Sequence, residues 1–152
     1  MTISAKDIAE LRKATGAGVM DCKEALIKAN GDKEKALEIL KAIGKDKVKK
    51  RADRMTSQGL IETYVHKGSR IGAIVEVACE TDFVAKTDDF KKLAHNVAMQ
   101  ITSMDPKDTQ ELLMQPFIFD DKKKVSDLFE EVIAKTGEKC EIKRFERFEL
   151  GE

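Results

Sequence analysis

At Gly59 the apolar residues of this chain change their spacing, and that change limits the fold more than any other feature. Before it they recur every three or four residues, the period of a helix with one inward face. After it "LIETYV" (Leu60–Val65) and "IGAIVEVAC" (Ile71–Cys79) alternate, which is the period of a half-buried strand. The two runs flank "HKGSR", a short polar loop with Gly68, and so read as a hairpin. Ile71, Ala73, Val75, Val77 and Cys79 share one face; Gly72, Ile74, Glu76 and Ala78 share the other. The helical period then returns. Phe90, Leu93, Ala94, Val97, Ala98 and Ile101 form one stripe, and Val125, Leu128, Phe129, Val132 and Ile133 form a second, which Gly137 closes. "CEIKRFERFEL" reads as a third strand in which Phe145 and Phe148 have opposite parity, a conflict that a bulge or two-sided burial would settle. Residues 105–121, with both prolines, read as a long connection. The expected architecture over residues 59–152 is α+β, a three-stranded antiparallel sheet packed with helices. So few strands leave a face or edge for another chain to cover.

Residues 1–43 read as three short helices. Ser4 caps the first, with Asp7 in its opening turn, and "TGAG" (Thr15–Gly18) breaks the chain. The second runs from about Val19 to Ala29 and stops at Asn30-Gly31. Asp32 caps the third, along which Ala36, Leu37, Leu40 and Ile43 recur. So small a bundle buries little and suits an accessory, ligand-reading unit. Residues 44–58 follow as a basic linker or exposed helix, "GKDKVKKRADRMTS" over Gly44–Ser57, with no aromatic interleaved to stack bases.

The 28 Lys and Arg balance 28 Asp and Glu, so the chain has no net pull toward nucleic acid or anionic membrane. No apolar run is long enough to span a bilayer and no signal peptide is recognisable, which suggests a cytosolic protein. The three cysteines are distant, no CxxC occurs, and the only histidines are His66 and His95, a poor basis for a metal site. No cofactor is expected.

Catalysis finds no support either. Cys79 and Cys140 fall in apolar strands, Asp88-Asp89 and Asp120-Asp121 suit helix caps, and no phosphate-cradling glycine loop exists. Binding has more. On the second helix Cys22, Ala25, Leu26 and Ala29 point inward with Val19 at their margin, so Met20 and Ile27 point away. In "CETDFVAKTDDF" (Cys79–Phe90), Thr81 or Asp82 can cap a short turn. Phe83 then either anchors the core or stands outside it, and periodicity does not decide between them.

"LRKATGAGVMDCKEAL" (Leu11–Leu26), "ETDFVAK" (Glu80–Lys86) and "RFERFELGE" resemble the bacterial elongation factor Ts family over nearly the whole chain. The resemblance implies a ubiquitin-associated-like three-helix domain in residues 1–43 and an α+β core in 59–152. It implies guanine-nucleotide exchange on elongation factor Tu, the GTPase that delivers aminoacyl-tRNA. Arg12, Met20 and Lys23 would touch the GTPase's nucleotide-binding domain, along with Val19, where the family often has methionine. Thr81, Asp82, Phe83 and Val84 would dislodge its magnesium ion, with the aromatic ring as wedge. Thr136 and Gly137 would lie near its phosphate loop, although the family has an apolar residue where Thr136 stands. Short members of the family are thought to complete their core by homodimerising, and Cys140 would then approach its counterpart across a two-fold axis. Two rival expectations are an adaptor that holds a polypeptide with the three-helix domain, and an RNA or ribosome accessory protein.

Overall fold

The computed structural model describes residues 2–152. Helix α1 (Ala5–Thr15) starts at a reciprocal cap: Ser4 Oγ accepts from the Asp7 amide while the Asp7 carboxylate accepts from the Ser4 amide. It ends at Gly16, whose φ of +72° is costly for any residue with a Cβ. Helix α2 (Val19–Lys28) follows, and α3 (Lys33–Lys50) opens at Asp32, which accepts from the Glu34 and Lys35 amides. Leu11, Cys22, Ala25, Leu26, Ala36 and Leu40 interlock as the core of this bundle.

Helix α3 does not stop near Ile43. It runs through the basic stretch to Lys50, because no proline interrupts it and Val48 packs onto a second apolar cluster beyond the bundle. Lys47 pairs with Asp21 on α2. The first half of the basic stretch is thus an anchored helix, and Thr56 in the second half is itself buried.

Strands β1 (Gln58–Val65) and β2 (Ile71–Cys79) form the hairpin. After them come α4 (Asp82–Ala85), α5 (Asp88–Met104), α6 (Thr109–Met114), the short strands β3 (Pro116–Phe117) and β4 (Asp120–Lys124), α7 (Val125–Thr136) and β5 (Glu141–Glu149). The main sheet is antiparallel in the order β1-β2-β5, with α5 lying across β1 and β2 and α7 packed against α5. Val75, Val77, Phe90, Val97, Ile101 and Val125 are sealed between the layers.

Residues 105–121 are more structured than a connection. They hold α6, anchored by buried Leu112, and most of the β3–β4 ribbon, which Gln100 docks onto α5. Its amide nitrogen donates to Pro116 O at 3.0 Å and its oxygen accepts from the Ile118 amide at 2.9 Å. In β5 the register shifts between Glu76↔Arg144 and Val77↔Ile142, which leaves Lys143 as the extra residue of a bulge. The bulge turns both Ile142 and Phe145 toward the core. Phe148, opposite Gly72, stays on the outer face and is exposed. The bulge precedes both aromatics and reconciles Ile142 with Phe145; the opposite parity of Phe145 and Phe148 has a different cause, which is that Phe148 is left outside.

Glu141 ties the basic stretch to the start of β5, accepting from Thr56 Oγ1 at 2.8 Å and pairing with Lys139 at 2.9 Å and Lys143 at 2.7 Å. Burial alone would raise its carboxyl, but the hydrogen bonds from Lys143, Lys139 and Thr56 outweigh burial and bring it down to about 2. A carboxylate held below its unfolded value of about 4.3 stabilises the fold above that pH, and the contribution is lost as pH falls. The melting temperature should therefore drop as pH is lowered from about 4.3 toward 2, and Glu141→Gln should make that drop shallower. Equal slopes in thermal melts of the two proteins would remove Glu141 from the account.

Candidate docking site

Two threonine caps, six residues apart, shape the corner after β2. Thr81 Oγ1 accepts from the Val84 amide at 3.3 Å and so starts the single turn of α4. Thr87 Oγ1 donates to Val84 O at 2.7 Å and accepts from the Phe90 amide at 3.3 Å, which ends α4 and starts α5. With both ends fixed, helical geometry assigns directions: Val84 and Ala85 are buried, and Phe83 is 80% exposed. Asp82 is exposed beside it and pairs with Lys86 at 3.4 Å. The ring that periodicity left ambiguous stands outside its own domain.

Sequence reading missed what lies beneath the corner. Glu138, just past the end of α7, accepts from the Glu80 amide at 3.1 Å, the Thr81 amide at 2.9 Å and the Thr81 hydroxyl at 2.7 Å. In return the Lys139 amide donates to the Glu80 carboxylate at 2.9 Å. Nothing local in "TGEKC" points to this, since the partners are nearly sixty positions away.

Thr136 and Gly137 form that same end of α7. The Thr136 hydroxyl turns back onto Val132 O, and Gly137 takes a φ of +75°, which leaves its carbonyl free to accept from Arg51 Nε at 2.8 Å and Arg54 at 3.3 Å. Lys50 pairs with Asp46 at 3.1 Å. The cations of the basic stretch are thus largely engaged by the protein itself, which weakens an RNA-binding reading.

On the bundle, Val19 and Met20 open α2, and Met20 is 71% exposed. Lys23 and Ile27, exposed too, continue its stripe at i+3 and i+7. Arg12 on α1 and Val19 face an open cleft of about 700 Å³ whose far wall includes Asp89 and Lys135. Asp89 is in the first turn of α5, so Arg12 and Val19 are brought to the side of the molecule that carries the corner. Gly16 lets Lys135 pass: a Cβ there would meet Lys135 Cε at 2.1 Å. Lys135 reaches Asp89 at 3.6 Å.

The thiols lie inside. Burial, with the Glu138 carboxylate nearby, pushes Cys79 up to about 11. Burial, with Cys79 and Glu138 nearby, pushes Cys140 up to about 12. Cys140 is sealed within its own subunit, so a bridge to a second copy would require it to turn out. His95 packs edge-on to the Tyr64 ring and lies 3.9 Å from Glu62. Across the outer face of the sheet, Ile61, Val65, Ile74 and Phe148 are exposed together around rows joined by β-pairing. Among the described residues, no helix is long and apolar enough to cross a membrane.

An α+β domain behind a helical module, with one aromatic held outside on a turn capped at both ends, has the form of a docking factor. The family model for elongation factor TS matches residues 80–152. Elongation factor Ts of Thermotoga sp. (strain RQ2) is 43% identical over 195 aligned positions, covering 100% of this chain and 98% of the relative. Those of Moorella thermoacetica (strain ATCC 39073 / JCM 9320) and Desulforamulus reducens (strain ATCC BAA-1160 / DSM 100696 / MI-1) are 42% and 39% identical, each over 99% of this chain and over 96% and 90% of the relative. This chain belongs to the elongation factor Ts family. Its 152 residues are fewer than the 195 aligned positions, so these relatives carry segments without counterpart here.

Proposed function

We propose that this protein is a guanine-nucleotide exchange factor that docks on elongation factor Tu and speeds the release of its GDP. The observation that carries this reading is Phe83, an 80% exposed aromatic on a turn capped at both ends. The corner of Thr81, Asp82, Phe83 and Val84 presents itself to the GTPase beside its magnesium site, with Asp82 and Phe83 outside and Val84 buried as the inner support of the turn. The ring wedges between partner side chains and shifts a neighbouring helix, so the magnesium and then the nucleotide are lost. Arg12, Val19, Met20 and Lys23 dock on the nucleotide-binding domain, and Thr136 and Gly137 lie near its phosphate loop. Residues 1–43 act as the ubiquitin-associated-like docking module, 44–58 as the basic link, and 59–152 as the core that bears the corner.

Magnitudes require both contact regions. A thousandfold faster release needs about 4 kcal/mol of barrier reduction. Burying one phenylalanine supplies about 1.5–3 kcal/mol. The remainder comes from the module, where Met20 offers a soft, adaptable contact. Linkage makes the effect reciprocal: a factor that weakens nucleotide binding is itself weakened by nucleotide, so GTP expels it. The protein changes no covalent bond and needs no cofactor. It works in the cytoplasm, without contact to nucleic acid or membrane. The test is stopped-flow release of fluorescent GDP from elongation factor Tu, with and without this protein. Acceleration is expected. An unchanged rate with binding that ignores nucleotide state would instead favour the polypeptide-holding adaptor.

The exposed outer face of the sheet supports a homodimer in which two such faces meet. Sedimentation at micromolar concentration should give twice the chain mass of 17.0 kDa, and Phe148→Glu should give a monomer. A wild-type monomer would end the dimer proposal.

A further inference from the structure

We infer that Glu138 is a positioning residue for exchange: its carboxylate holds the corner so that Phe83 points outward before the partner arrives. This rests on the exchange reading above. Each of its three hydrogen bonds fixes a different part of the corner. The Glu80 and Thr81 amides leave the sheet where β2 ends, and Glu138 Oε1 accepts from both. The Thr81 hydroxyl has one proton and two lone pairs. Donating that proton to Glu138 Oε2 leaves a lone pair to accept from the Val84 amide, the bond that starts α4. Glu138 thus selects the hydroxyl rotamer that makes Thr81 a cap.

Glu138 is itself held. Gly137 fixes the chain direction on one side of it through Arg51 and Arg54, and the Lys139 amide is tied to Glu80 on the other. Arg54 also reaches the Glu80 carboxylate at 3.4 Å. The end of α3, the end of α7 and the corner therefore form one braced unit. Without the carboxylate, Phe83 would still be exposed, but its turn would sample orientations that cannot enter a preformed crevice. Ordering it on binding would then oppose the transition state.

The test measures GDP release from elongation factor Tu against factor concentration for the wild type, Glu138→Ala and Glu138→Gln. Glu138→Ala should lower the limiting rate about tenfold and leave the half-saturating concentration within about twofold, because docking by the bundle is untouched. Gln keeps an oxygen for the two amides, but its nitrogen cannot accept the Thr81 proton, so it should restore only part of the lost rate. In the free protein the Glu80 and Thr81 amides should exchange hydrogen faster in Glu138→Ala than in the wild type. On a Phe83→Ala background, Glu138→Ala should add no further loss.

An unchanged limiting rate, a Gln variant no better than Ala, unchanged amide protection or additive losses would each overturn the positioning role. If Glu138→Ala does not fold, the Gln variant carries the same comparison, and a limiting rate lowered by less than in Phe83→Ala supports the role while an unchanged one overturns it. A wild-type protein that fails to accelerate release would overturn the exchange reading and this inference together. Failure of the Glu138 variants alone would leave the exchange reading standing.

Discussion

Replacing Phe83 with alanine leaves the fold intact and removes most of the acceleration of GDP release. The side chain is 80% exposed, so truncating it deletes few internal contacts. Surface changes of this kind alter stability by no more than about 0.5 kcal/mol, and alanine suits the helical turn better than phenylalanine. In the complex the same ring loses its water, and about 1.5–3 kcal/mol of apolar burial goes with it. If that burial is realised mainly in the transition state for release, the limiting rate falls by roughly 10- to 150-fold. If it were realised equally in the docked ground state, half-saturation would shift and the limiting rate would not. Stopped-flow release of labelled GDP separates these outcomes, and a variant as fast as the wild type would remove Phe83 from the mechanism.

How far the sequence reveals this site depends on how local each constraint is. The capping of α1 by Ser4 and of α3 by Asp32 is written within three residues and can be read directly. The same holds for the alternation of Val75, Val77 and Cys79 and for the stripe from Phe90 to Ile101. Phe83 could be assigned a corner but not a direction, because direction needs both caps and the buried Val84 at once. The exposure of Met20 followed from helical phase alone. Glu138 was invisible, since its three donors belong to a strand end distant in the chain. Whether residues 44–50 continue α3 or form a linker is not decided by the sequence, because those turns are held by Asp21 and by a single valine, Val48, and neither shows as a stripe. The β3–β4 ribbon escaped notice because short, charged strands carry little apolar pattern and this one depends on Gln100 of another element.

Phe90, seven positions beyond Phe83, should behave in the opposite way. It is fully buried in the first turn of α5, and Thr87 caps its amide at 3.3 Å. Val84, Ala85, Leu93 and Ala94 belong to the same cluster, so a methyl in place of the ring leaves a cavity between the corner and the sheet. Phenylalanine-to-alanine changes at such sites cost about 3–5 kcal/mol, against a total stability of about 5–15 kcal/mol for a domain. At about 2–4 °C per kcal/mol for a chain of this size, the melting temperature should fall by roughly 6–20 °C. Exchange should suffer as well, but only in proportion to the protein that is unfolded or loosened. Well below its transition Phe90→Ala should regain much of the wild-type rate, whereas Phe83→Ala should stay slow at every temperature. Thermal melts and release rates measured together on the two variants test this contrast. A Phe90→Ala protein that melts like the wild type would mean that the ring assigned to the interior does not support it.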